Sequence, residues 1–453
     1  MYYRWVMSQF PFGFGAPGNS DDESNSGGQP FDMNNLGAMF TQFGNMLQQA
    51  QNEGPLPWTT VMQVARQGLG TDPGVSDSEK RAAQAAMELA DTWLDAAVTF
   101  PASGSPVQVW SRTEWLVETG PVWQQAITPI AMTMSERMST MMPGAGDLEG
   151  LESQLPDQLK EMLPGGITPD MMSMLAPMMG MVTQLGATAF AYQLGQALSA
   201  LSKEVLCSSD VGIPLAPQGV RALVPRNIEQ FAQGLGIESR DIMVFFALRE
   251  SAHQRLFDHV PWLRSRLMSA VEEYARYMDV NMNMLGEKFS GVDITNPEAL
   301  QEIMASGVLE PEDTLEQRSA IARLETLLAL IEGWVDDVVT EAVSGRLATL
   351  PQLRETMGRR RATGGPAELT FSTLVGMQLR PRSFREAHTV FAALRSRGGL
   401  TERDALWPIL ICCPMRKISR THWDFLTMMA TMLTSVISTL PTLTSNSCNT
   451  QMR

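Results

Sequence analysis

The sequence predicts a mainly α protein, one large helical domain with few or no strands. Three observations predict it. Apolar residues recur at spacings of three and four along most of the chain, as they do on one face of a helix. No sustained alternation of period two, the mark of a half-buried strand, occurs anywhere. Ser, Asp or Pro at the starts of the apolar runs, and Gly or Pro at their ends, are helix boundary signals. With 453 residues and 44% hydrophobic content, the chain has ample material for one large core.

The elements follow in order. Residues 8 to 31 are mostly Gly, Pro, Ser, Asn and Asp, too polar to bury a core, so 1–31 reads as a disordered N-terminal arm with Met7 as the natural start. The helical domain is expected over 32–407. Leu36, Met39, Phe40, Phe43, Met46 and Leu47 share one helical face, with Asp32 as N-cap. Helices are expected at 58–69, 76–98 and 108–138, with Ser76 or Asp77 starting the second. Trp58, Trp93, Trp110, Trp115 and Trp123 read as core and helix-contact residues. Residues 139–169 are broken by Pro143, Gly144, Pro156, Pro164 and Gly165, and read as a surface connection and sub-boundary with one short helix near 148–162.

The stretch Met171–Ser202 carries no charge and is long enough to span a bilayer of ~30 Å. Its Pro177, Gln184, Gln193 and Gln196, with several Gly and Ser, make it a closely packed buried segment rather than a membrane span. Ser208–Leu215 reads as a turn with a short extended piece. Pro225 starts a helix that runs to Leu235. Ser239 or Arg240 opens a central helix that Pro261 ends at His259–Val260. A long helix follows from Pro261 to about Val280, and others near 296–306, 312–346, 349–361, 366–377 and 382–398. After Trp407 the composition shifts to Ile409-Leu410-Ile411-Cys412-Cys413, then Thr, Met and Ser with almost no acid. Codons exist for Pro408 to Phe425 whose neighbouring frame encodes acidic, Pro-punctuated text like the rest of the chain. Residues 408–453 therefore read as a frameshifted, disordered tail, and re-sequencing the source DNA tests that reading.

A net charge of −15 excludes an extended nucleic-acid surface, which requires a basic patch, and suits a soluble cytoplasmic protein kept dispersed by its charge. Cys207, Cys412, Cys413 and Cys448 form no CxxC pair and no disulfide framework, consistent with a reducing compartment. Gly364-Gly365-Pro366 is a turn without the Lys-Ser/Thr of a phosphate loop. Substrate and oligomeric state leave no mark in the sequence.

The chemistry concentrates in the central helix, where two of the four histidines fall within Phe245–Leu263. Glu250 and His253 are three residues apart, close enough on a helix to share a metal ion or a proton, or to form an ion pair inside the core. A metallopeptidase helix reads His-Glu-x-x-His, with two His ligands and the Glu as general base. Here Arg249 occupies the first position, and a guanidinium has no lone pair to offer zinc. Arg249 can instead pair with Glu250 or Glu332, replacing the metal's charge with its own. Glu332, a lone Glu before Gly in the apolar run Leu327–Val339, is the best further ligand, and Glu325 the second choice. His259 lies six residues beyond His253 and reaches the same place only if the break before Pro261 redirects it. Asp336 and Asp337 are expected on a solvated face and His388 on the surface. Arg359-Arg360-Arg361 is expected to complement a helix C-terminus, and Cys207 to be a buried thiol.

Several stretches resemble a zincin-like metallopeptidase family of actinobacteria, whose members are called zinc-dependent metalloproteases or hydrolases. They are Thr183–Leu215 with Asp210-Val211-Gly212-Ile213-Pro214-Leu215, Leu248–Trp262, Leu324–Val339 and Gly364–Glu368. The resemblance runs from Phe12 to Trp407. It implies a zincin-like helical domain and a hydrolase in which zinc-activated water attacks a peptide bond. Residue by residue, it implies Glu250 as general base and His253 and Glu332 as metal ligands. Two positions depart from the family pattern: Arg249 replaces the first His ligand, and Trp334 stands where a His follows Glu-Gly. The alternative is a catalytically silent zincin-like protein, acting as a binding or scaffold module for a peptide or protein partner.

Overall fold

The helix signals of the sequence become helices in the computed structural model, which describes residues 56–102, 104, 106–141, 169–210, 212–276, 315–362 and 384–411. In chain order these are α1 (Trp58–Leu69), α2 (Asp77–Leu94), β1 (Val107–Val109), α3 (Arg112–Met141), α4 (Pro169–Ser202), β2 (Arg221–Leu223), α5 (Pro225–Ala232), α6 (Ser239–His259), α7 (Pro261–Arg276), α8 (Leu315–Val343), α9 (Leu350–Ala362), α10 (Phe384–Asp404) and α11 (Leu406–Ile411). The protein is mainly α, as expected. The arm 1–31 and the helices expected near 36–47, 148–162, 296–306 and 366–377 lie outside the described residues, as does the tail beyond 411. At the start of that tail, Pro408–Ile411 continue α11 and Leu410 is buried.

Local signals account for individual ends. Ser76 caps α2: its hydroxyl accepts from the Glu79 N–H at 3.3 Å, while Glu79 accepts the Ser76 N–H at 2.7 Å. Pro225 opens α5, where a missing N–H costs nothing. Pro261 opens α7 directly after α6. Helix α10 was expected to end near 398, and there its backbone breaks: Gly399 adopts φ 71°, a conformation that favours glycine, before the chain turns helical again.

The two strands were not foreseen. Residues 107–109, which overlap the start of the helix expected over 108–138, pair in parallel with 221–223 in the register Val107↔Arg221, Gln108↔Ala222 and Val109↔Leu223. Three residues are too few to show a period-two pattern, so only the tertiary pairing reveals them.

Packing explains the small-residue run. α1 lies along α4, and a Cβ at Gly195 would come within 2.7 Å of the Val61 carbonyl oxygen, so only glycine fits there. Helices α6 and α8 form the centre. Nearly every residue of α6 from Ile242 to Phe257 is buried, as is α8 from Thr326 to Val339. α10 approaches α8 at Gly333, where a Cβ would lie 2.6 Å from the Ala387 Cβ. The far side of α8 is tied down by buried ions. Asp404 accepts from the Thr99 N–H and hydroxyl, both at 2.8 Å, and from the Trp334 indole at 2.9 Å, while Arg403 bridges Asp404 and Asp337. Among the described residues, no helix is long and apolar enough to cross a membrane.

Candidate functional site

Helical geometry sorts the α6 side chains. Arg249 and His253, four apart, share the face turned toward α8, and Glu250 is one step round on the next face. Both meet Glu332 of α8. The Arg249 Nη2 lies 2.5 Å from Glu332 Oε2, and the His253 Nε2 lies 3.2 Å from Glu332 Oε1. The His253 Nδ1 donates to the Arg249 carbonyl at 2.8 Å, which fixes the ring with Nε2 aimed at Glu332. A second guanidinium arrives from the end of α9: Arg361 Nη2 is 2.6 Å from the same Oε2 that Arg249 holds. Each guanidinium lies over an aromatic ring, Arg249 over Phe245 at 5.9 Å and Arg361 over Phe384 at 5.6 Å.

These charges set the protonation of the cluster. Burial pushes Glu332 up, but Arg361, Arg249 and His253 together hold it well below the usual carboxylate range. Burial pushes Arg249 down and Glu332 and Asp336 more than restore it, so its affinity for the proton is raised. Arg361 goes the other way: burial and the neighbouring Arg249 outweigh the pull of Glu332.

Glu250 is placed differently. Its Oε1 accepts from the Ser208 hydroxyl and the Ala222 N–H, and its Oε2 from the Ser209 hydroxyl at 2.5 Å and N–H at 3.2 Å. Both oxygens are thus occupied by neutral donors from β2 and the segment before Gly212. None of these bonds goes to His253 or Glu332. The same segment closes over Glu332, because Gly212 at φ 77° lets the chain pass so near that a Cβ would sit 3.5 Å from Oε1. Cys207 is a buried thiol as expected, pushed well up by burial and by Glu250 and Asp210.

A second ring of pairs surrounds the centre and corrects three expectations. Asp336 and Asp337 are buried, not solvated, because arginines from α9 and α10 reach them. Asp336 is held by Arg354, and His388 Nδ1 lies 3.0 Å from it; against burial, these partners bring it down to about 2. Asp337 is held by Arg395 and Arg403. His388 is therefore half-buried beside the cluster rather than on the surface. Of the arginine run, Arg360 pairs with Asp210 at 2.9 Å and Arg361 with Glu332, so its role goes beyond the helix terminus.

The remaining expected residues lie elsewhere. His259 is exposed, stacks on Phe100 at 5.3 Å, and has its Nδ1 on the Arg255 carbonyl. Trp334 is fully buried and donates to Asp404. Glu325 is half-buried on α8.

Both halves of the site, α6 and α8, fall within a match between residues 56–414 and the profile of the zincin-like metallopeptidases. The chain belongs to the zincin-like metallopeptidase family. A solved structure from Chloroflexus aurantiacus, titled a "putative hydrolase with a novel fold", is similar with a TM-score of 0.51 and 18% identity, covering 83% of this chain and 99% of that one. No curated protein matches the sequence. Membership of the zincin-like family suggests hydrolase activity.

The donor set of this zincin-like chain does not fit the zinc that the family implies. A catalytic zinc site needs three protein ligands and an open position. His253 Nε2 and Glu332 converge as two ligands would, but Glu332 Oε2 already carries two guanidiniums. Among the described residues, no group of three or more His, Cys, Asp and Glu is arranged to hold a metal. Arg361 is the residue that the sequence reading missed at this site. Its signal was three consecutive arginines in a strongly acidic chain, which has a simpler explanation at a helix end.

Proposed function

We propose that this zincin-like chain works without a metal, as a binding or scaffold module built on a hydrolase fold. One observation carries the reading: the Arg249 guanidinium sits on Glu332 beside His253, at the position the family pattern gives to the first His ligand. A fixed positive charge there keeps the buried carboxylate paired and the two helices in register, but it cannot polarise a carbonyl as a Lewis acid or activate water. Glu250 supports the same reading. A general base needs a lone pair directed at the water it deprotonates, and a carboxylate offers about four acceptor sites. Four neutral donors already take them.

A zinc-dependent hydrolase is the second reading. It is favoured by the convergence of His253 Nε2 and Glu332 Oε1 at 3.2 Å, a separation two ligands of one ion could adopt. On that reading Glu250 is the base and His253 and Glu332 are ligands. Elemental analysis of protein purified without chelator separates the two. The metal-free reading expects less than a tenth of an equivalent of zinc and no thermal stabilisation on adding it, and stoichiometric zinc would sink it.

A further inference from the structure

The surroundings of Glu332 are unevenly charged. Around it, Arg360 pairs with Asp210, and Arg354 pairs with Asp336, with His388 beside the same carboxylate. At the centre two guanidiniums and an imidazole share the single carboxylate of Glu332. Glu250, the carboxylate of α6 next to Arg249, is turned to Ser208 and Ser209. Both arginines press on one oxygen, so neither spends its second edge there.

Arg361 is the one that reaches solvent. Its side chain is 20% exposed, against 5% for Arg249 and 8% for Glu332. A guanidinium presents five N–H donors in a rigid planar fork. The described contacts of Arg361 are one Nη2 on Glu332 and one face over Phe384. Ring and carboxylate therefore orient the plane and leave a second donor edge. An oriented fork with a desolvated back is the arrangement that takes a planar carboxylate through two parallel hydrogen bonds.

Resting on the metal-free reading, we propose that Arg361, backed by Arg249, is a receptor for a carboxylate ligand, such as the free C-terminus or an acidic side chain of a peptide. The ligand's two oxygens lie along the donor edge of Arg361 that Glu332 does not take, and Glu332 keeps that edge in place. Binding places a second carboxylate on Arg361 beside Glu332. Arg361 thus recognises the ligand, and Glu332 and Phe384 are positioning residues.

The experiment is a calorimetric titration of the full chain with four probes: N-acetyl-dialanine as the free acid, the same peptide as its amide, N-acetyl-aspartate amide, and inorganic phosphate. The expected result is that one or both carboxylate probes bind, and bind roughly tenfold or more tighter than the dialanine amide. The free acid and the aspartate probe tell a C-terminal from a side-chain source. Arg361→Gln should lose that preference, and Arg361→Lys should lose most of it, because an ammonium keeps the charge but not the fork. Glu332 retains Arg249 and His253 in both variants, and an unchanged Tm confirms the fold. Binding of both carboxylate probes no tighter than that of the dialanine amide, no binding of either carboxylate probe, binding of phosphate alone, or a preference that survives in Arg361→Gln would each overturn the proposal. Zinc measured in the same samples tests the metal-free reading separately.

Discussion

Glu250 and Glu332 are both buried carboxylates at the interface of α6 with its neighbours, yet they are stabilised in opposite ways. Glu250 is solvated by neutral groups, two serine hydroxyls and two backbone N–H groups. Glu332 is solvated by charge, from the Arg249 and Arg361 guanidiniums, with the His253 ring beside them. The first arrangement holds a carboxylate by dipoles that reorient at small cost. The second locks α6 and α9 onto α8, and neutralising Glu332 would leave a guanidinium on each of α6 and α9 without its carboxylate.

The largest test of that contrast is a matched pair of substitutions. Glu332→Gln should cost about 3–5 kcal/mol in chemical denaturation, because it strands two guanidiniums. Glu250→Gln should cost only about 1–3 kcal/mol, the value of weakened hydrogen bonds. Equal losses would erase the distinction. Next is Arg249→His, which restores the family's ligand and leaves the Glu332 side with one guanidinium fewer. Zinc at a hundredfold excess over its Kd should then stabilise the variant by about 2.7 kcal/mol and leave the wild type unmoved. A variant equally indifferent to zinc would show that the scaffold no longer holds a metal geometry.

Acid should act on the charged region first. Asp336 falls to about 2 in the folded chain, below its unfolded value near 4. A depressed carboxylate contributes stability that is complete above the unfolded value and lost as pH falls through the folded one. About 2 kcal/mol should therefore disappear between roughly pH 4 and pH 2, with Glu332 adding to the same loss. Arg354→Ala should flatten that limb in acid denaturation followed by circular dichroism, and an unchanged limb would assign it elsewhere. The smallest effect is expected from Ser208→Ala, about 1.5 kcal/mol, since Glu250 keeps three of its donors.

Much of this was legible beforehand, and the reasons differ by residue. α6 and α8 announce themselves through apolar periodicity and through Pro261, and Glu332 stands out because a lone acid in an apolar helix needs a partner. The option that Arg249 pairs with Glu332 followed from the missing lone pair. Arg361 was hidden because arginines at a helix end have a sufficient surface explanation. Asp336 and Asp337 were hidden because their arginines come from α9 and α10, far along the chain and without fixed spacing. The cradle of Glu250 was illegible for a similar reason: a serine hydroxyl that solvates a carboxylate looks like any turn serine.

The bond between Thr99 and Asp404 spans 305 residues. On a ribosome elongating at roughly 5–20 residues per second, Thr99 emerges about 15–60 s before its partner exists. Trp334, already synthesised, also waits for the same carboxylate. The last turn of α10 is thus a clasp that closes late in synthesis. Nascent chains that stop short of it should depend on chaperones to shield α8 and remain sensitive to protease, even with every residue around Glu332 already made.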